Sequence, residues 1–244
     1  MGNTGSVGVI ERLETFMVDD INTAAGNGIG WVTAVAGGAT AFVRASSAAA
    51  GIHCLGVISA ADNDLLELCG DEIFVYGQTG YNMIEVLFQA NVVTALAFNI
   101  GFNDDSLEAS PLPIELSGTT WTTNATDAIM LVLDMDATNY EVHCMWVDDG
   151  NDTSEAIADL RMRGASLQAD KWAMARLELQ DRGSGNGLRA TFTFAQDGKS
   201  FQKEFNTSLD RDIALVPYIG FESRVATASN IRIKYIKQAQ SIAD

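Results

Sequence analysis

The chain has 244 residues, 47% of them hydrophobic, with 32 acidic side chains against 15 Lys and Arg and a formal net charge of -17. That length and composition suit one sizeable core and exclude long disordered linkers. The charge excludes a sequence-independent grip on nucleic acid, which needs clustered cations.

No apolar run approaches the roughly 20 residues of a membrane-spanning helix. Cys54, Cys69 and Cys144 form an odd set without CxxC spacing, so neither a disulfide framework nor a zinc knuckle is expected, and the three read as small buried residues. The expected setting is a reducing cytoplasm with no membrane partner and no cofactor.

Taken in chain order, residues 1 to 12 read as an N-terminal arm, 13 to 238 as a single β-sandwich domain and 239 to 244 as a C-terminal tail. Period-two alternation predicts strands near 16 to 21, 30 to 35, 39 to 45, 53 to 59 and 72 to 77. In "MIEVLFQA" the alternation puts Ile84, Val86, Phe88 and Ala90 on one face, and "TALAFNIGF" groups Leu96, Phe98, Ile100 and Phe102. "IMLVLDMD" and "YEVHCMWV" predict a hairpin with Leu131, Leu133, Val142, Cys144 and Trp146 inward. "TSEAIADLRM" supports one or two helical turns capped by Ser154. Further strands are expected over 171 to 180, 188 to 196, 199 to 206, 216 to 223 and 230 to 238. So many short strands, with so little helical periodicity, predict an all-β fold of two antiparallel sheets packed as a jelly-roll sandwich.

"DRGSGNG" at 181 to 187 has the glycine content of a phosphate loop, but "LRATFTFAQ" after it is a strand pattern. A phosphate loop needs a helix N-terminus there, so the stretch reads as a hairpin connection. "QDGKS" reads as a second hairpin, with Asp197-Gly198 suited to a type I′ turn. His53-Cys54 and His143-Cys144 repeat one dipeptide, yet adjacent strand residues point to opposite faces, so each pair offers one ligand to a side. The reading is buried thiols and surface imidazoles. Asp134 and Asp136 share a strand face and resemble a paired-carboxylate hydrolase site. With Asp148, Asp149 and Asp152 of "DDGND" they are also the weak candidates for Ca2+, because hard oxygens suit it. Trp31, Trp121, Trp146 and Trp172 are candidate platforms or core residues.

From Trp172 through Phe194, Asp197, Gly198, Pro217, Ile219, Phe221, Ile231, Ile233 and Tyr235, the later half resembles concanavalin A-like (LamG-like) sandwich proteins of tailed bacteriophages. "LVLDMDATNYEVHCMWVDDG" is similar to the middle hairpin of that pattern. The resemblance implies a structural virion protein, a capsid decoration subunit made in the host cytoplasm, with other virion proteins as partners and self-association into an oligomer. The alternative is a carbohydrate-binding or receptor-recognition module of a tail or fibre, with a glycan as partner. Glucanases on related sandwiches carry a Glu-x-Asp-x-Glu type of motif, and here Thr138 stands at the third acidic position, so no enzyme is expected.

Charge is unevenly spread along the chain: residues 1 to 160 hold 23 acids against Arg12 and Arg44, while residues 161 to 244 hold 13 bases against 9 acids. Arg161, Arg163, Lys171, Arg176, Arg182 and Arg189 open the later segment and are the interaction candidates, expected to meet acidic surface on a partner.

Overall fold

Alternating apolar residues gain burial only when each strand lays one face on a second layer, and two sheets supply it. A computed structural model of the chain describes residues 9–16, 21–22, 31–70, 74–75, 80–104 and 111–241. One sheet has, in spatial order, β17 (Lys199–Asn206), β16 (Leu188–Gln196), β15 (Ala173–Asp181), β8 (Tyr81–Ala90), β19 (Ser229–Ser241), β5 (Gly51–Ile58) and β4 (Thr40–Ser47), with β1 (Val9–Glu14) also on β19. The other runs β14 (Asn151–Asp152), β13 (His143–Asp148), β12 (Ala128–Leu133), β9 (Leu96–Asn103), β18 (Ala214–Ser223), β6 (Leu65–Cys69), β3 (Trp31–Ala36) and β2 (Ile21–Asn22), with β7 (Phe74–Val75) beside β18. A separate hairpin joins β10 (Ile114–Ser117) to β11 (Thr120–Thr123). Pairing is antiparallel throughout except between β2 and β3. The all-β, two-sheet sandwich is as the alternation predicts.

The inward faces are those read from the sequence. Ile84, Val86, Phe88 and Ala90 on β8 are buried, as are Leu96, Phe98, Ile100 and Phe102 on β9. Between the sheets, Phe88 meets Phe98 edge-on at 5.4 Å and Phe221 at 5.5 Å, while Phe98 stacks near Phe194 at 6.5 Å. Such offset and edge-to-face pairs add to the area that aromatic burial removes from water. The β12–β13 hairpin pairs Leu131 with Cys144 and Ile129 with Trp146, as its inward set requires.

Several expectations change. Residues 9 to 12 are not an arm and 239 to 241 are not a tail: Val9 pairs with Ser241 and Arg12 with Gln238. The strand expected over 16 to 21 falls largely outside the described residues, as does much of that over 72 to 77. The helix shrinks to one turn, Ile157–Leu160, whose N-cap is Ala156, and Ser154 caps nothing. The strand Leu65–Cys69 went unread because "LLELC" does not alternate; it is buried along its whole length. On β19 a bulge at Lys234 breaks the alternation, for Ile233 pairs with Phe88 but Tyr235 with Leu87. Ile236 therefore takes the inward phase and Tyr235 turns outward.

The loop at 181 to 187 joins β15 to β16 and ends in a strand, as expected, with Gly183, Gly185 and Gly187 at positive φ. Asp197 and Gly198 both have positive φ, which a type I′ turn requires. A different constraint acts at Gly101 on β9. A Cβ there would lie 2.1 Å from the Ile129 carbonyl oxygen, on the neighbouring strand. Gly101→Ala is expected to cost about 3 kcal/mol by overpacking. Gly185→Ala, with nothing within 4 Å and only a φ of 74° to strain it, should cost about 1 kcal/mol. Urea midpoints of the two variants check the contrast, and equal midpoints would refute it.

Candidate functional site

Strand β12 stops at Leu133, so Asp134 and Asp136 do not share a strand face. Asp134 accepts the Asp136 amide at 3.0 Å through Oδ1, and this local bond turns the chain out of the sheet. Asp134 does not face solvent. It is buried, and it receives Arg224 through Nε at 3.1 Å and Nη2 at 2.7 Å. The Arg224 Nη1 also reaches Glu222 at 2.5 Å and Glu115 at 2.6 Å. Three carboxylates share one buried guanidinium, a geometry suited to holding segments together and unsuited to presenting an acid and a base to substrate.

What they hold is a roof. The hairpin β10–β11 and the residues before it lie over the outward face of β9 and β18. Asn99 donates to the Ile114 carbonyl and accepts the Ile114 amide, each at 2.9 Å. The Leu112 amide donates to Glu222 at 3.1 Å and the Leu116 amide to Asp134 at 3.2 Å. Beneath this cover Asn99 and Glu222 have no solvent exposure, and Glu67 and Asn103 of the same sheet have none either. Tyr218 donates to Glu67 at 2.5 Å in the same layer.

Asp148, Asp149 and Asp152 lie toward solvent beside β14, and no group of three or more potential metal ligands occurs among the described residues. Both imidazoles are buried, against the expectation of surface histidines. His53 bonds the Gly51 carbonyl at 2.8 Å, and His143 sits under the edge of Trp121 at 5.6 Å. The strand alternation does put His143 on the outward face; the roof, which alternation cannot foresee, covers it. The three cysteines are buried, as expected. Trp31 and Trp146 belong to the core, and Trp121 packs half-buried against it.

Five of the six basic candidates are engaged within the chain. Arg161 pairs with Glu141 at 3.1 Å, Lys171 with Asp197 at 3.7 Å, Arg176 with Glu178 at 2.7 Å and Glu85 at 3.6 Å, and Arg189 with Glu204 at 2.6 Å. Arg182 donates to the Asn186 carbonyl, and Arg163 is exposed. Of the later segment, β18 and β19 lie between early strands while β15, β16 and β17 stand together at one edge, so polarity along the sequence is only partly polarity in space.

Arg176 and Arg189 lie on the outward face of the eight-stranded sheet, which no element roofs among the described residues. There Tyr81 donates to Glu178 at 3.0 Å and Tyr235, turned outward by its bulge, donates to Glu85 at 2.8 Å. Burial and the neighbouring carboxylates push both phenols up to about 12, so each keeps its proton at neutral pH. Beside this belt a groove of about 270 Å³ is lined by Tyr81, Glu178, Gln180, Arg189, Thr191 and Glu204. Sequence reading missed Arg224 and Glu222. Their signal was "FESR", two opposite charges on alternate positions of an otherwise apolar strand.

Burial raises Glu222 to about 7, against the pull of Arg224, and lowers His143 to about 4. From about pH 4.5 to 7 the folded chain keeps a proton on Glu222 that the unfolded chain has lost, so stability falls as pH rises. From about pH 4 to 6.5 the unfolded chain binds a proton on His143 that the folded chain refuses, so stability rises. Each effect is on the order of 3 kcal/mol, and over their shared window they oppose. Glu222→Gln should therefore gain stability from pH 4.5 to 6.5 where the parent stays nearly flat, as read by urea midpoints; parallel profiles would refute this. Arg224→Met, which strands three carboxylates, should lose about 3 to 5 kcal/mol.

No family model and no curated protein matches the chain. Among solved structures it is similar to a protein of unknown function from Shewanella oneidensis MR-1, with 14% identity and a TM-score of 0.59 over 97% of this chain and 88% of that one. It is similar to peanut lectin, with 8% identity and a TM-score of 0.55 over 96% and 97% of the two chains. The exoplasmic/lumenal domain of VIP36, in its Ca2+/Man3GlcNAc-bound form, gives 10% identity and a TM-score of 0.54 over 93% and 89%. At these identities the likeness shows the fold: an all-β, two-sheet sandwich of the concanavalin A-like, lectin type.

Proposed function

We infer that the chain is a non-catalytic carbohydrate-binding domain. The observation that carries the reading is the match of the whole sandwich, over nine-tenths or so of both chains, to peanut lectin and to the VIP36 domain in its Man3GlcNAc-bound form. A fold hosts many functions, so the sites must agree. Two features support the reading: Asp134, the leading acid for hydrolysis, is bound by Arg224, while the open sheet face offers paired carboxylates, guanidinium groups and phenols, the side chains that hydrogen-bond hydroxyls. The capsid-decoration reading leaned on later bases free to meet acidic partner surface, and most of those bases have acidic partners in their own chain. That shifts support to the glycan-binding alternative.

The test is retention on a panel of immobilised oligosaccharides with elution by free sugar, run beside a reducing-sugar release assay on the same glycans. Retention on at least one glycan without release is expected. No retention on any would overturn the binding reading, and release abolished by Asp134→Asn would overturn the non-catalytic one.

A further inference from the structure

We propose that the chain binds neutral glycans on the outward face of the eight-stranded sheet, in the groove between Tyr81 and Glu204, and not on the nine-stranded sheet. This rests on the carbohydrate-binding reading and adds the place and the charge class of the ligand. Access decides the place. Over β9 and β18 the outward face of the nine-stranded sheet is closed by the β10–β11 roof, with Asn99 and Glu222 at 0% exposure, so a ligand would have to break the Arg224 cluster to reach them. The eight-stranded sheet leaves its polar row open.

The groove is built from two adjacent rows across β8, β15, β16 and β17. Gln180 pairs in register with Tyr81 on one side and Arg189 on the other, and Thr191 pairs with Glu178 and with Glu204. Side chains in such rows stand on one face at strand spacing, so their polar tips form a fixed array. Within it Glu178 Oε1 is held by both Tyr81 and Arg176, and Glu204 Oε1 by Arg189. The second oxygen of each carboxylate has no partner among the described residues and can accept from a hydroxyl. Arg189, Gln180 and Thr191 supply donors, and the Tyr81 ring supplies an apolar edge. Acceptors and donors a few ångströms apart beside a ring suit a polyol, whose hydroxyls do both and whose C–H face packs on the aromatic.

Charge decides the class. Glu204 is matched by Arg189, and Glu178 shares Arg176 with Glu85, so the groove holds no spare cation. A sulfate or uronate would meet the two carboxylates without a spare cation, and the chain's charge of -17 repels polyanions from a distance. At about 270 Å³ the groove takes a short ligand, and an open site of that size binds weakly, with Kd on the order of millimolar.

The experiment titrates the intact chain with maltotriose, cellotriose, mannotriose and chitotriose, and with a heparin disaccharide as the charged comparator, following 15N chemical shifts. One or more neutral trisaccharides should shift amides of residues 178–191 and 204. Thr191→Arg and Gln180→Arg, which fill the groove from neighbouring strands, should each weaken that ligand at least tenfold with an unchanged thermal midpoint. Gln202→Ala, on the same face outside the groove, should leave it unchanged. Neutral-glycan binding that survives both groove-filling variants would overturn the location while leaving the carbohydrate-binding reading intact. Tighter binding of the heparin disaccharide would overturn the ligand class. No binding of any probe would overturn both readings.

Discussion

A single guanidinium holds the molecule's most demanding arrangement together. Arg224 lies just beyond β18 with 5% of its side chain exposed, and it bridges Asp134 at the end of β12, Glu222 on β18 and Glu115 on the hairpin. Burying charges is expensive unless every lone pair and proton finds a partner. Here the cost is offset by sharing: the backbone amides of Leu112, Leu116 and Asp136 also donate to these carboxylates. Besides the cluster, Asn99 and the buried side chains of Leu112, Ile114 and Leu116 join the hairpin to the sheet beneath it.

From that clamp follows the asymmetry of the sandwich. One sheet is buried on both faces, which is why β9, β12 and β6 are enclosed along their whole length. The other is buried on one face and keeps strict alternation, seen in β15 and β16. In a doubly covered sheet each polar group without a partner is costly. A singly covered one can keep an array of charged side chains at the surface, half-exposed and ready to exchange water for another hydrogen-bonding ligand, as Arg189 and Glu204 are.

This difference also sets what could be read beforehand. Alternation located β8, β15, β16 and β17 because period two survives wherever one face is wet, and β9 and β18 because their covered outward faces still carry polar residues such as Asn99 and Glu222. The glycine loop was correctly given to a hairpin since a strand, not a helix, follows it. Where both faces are covered the signal fails: "LLELC" passed unread, and His143 was assigned to solvent on a face that is outward but roofed. Tyr235 sat in the apolar phase of its strand until a one-residue bulge moved it to the other side, and no periodicity marks that bulge. The site was the least legible part. Arg176 and Arg189 were singled out for their charge, but their partners Glu85 and Glu204 lie on other strands, and only register brings them together.

The pairing of Val9 with Ser241 has its own consequence, for the order of assembly. Strand β19 lies in the interior of its sheet, between β8 on one side and β5 and β1 on the other, and β18 is likewise interior, between β9 and β6. Both sheets thus receive an interior strand from residues 214–241. During synthesis each half-sheet must wait with unpaired edges, the exposed condition that invites pairing with another chain. Contacts that span more than 150 residues close late and slowly. Cooperative folding therefore waits for residues 214–241, and a nascent polypeptide arrested before β18 would hold two incomplete sheets and no finished core.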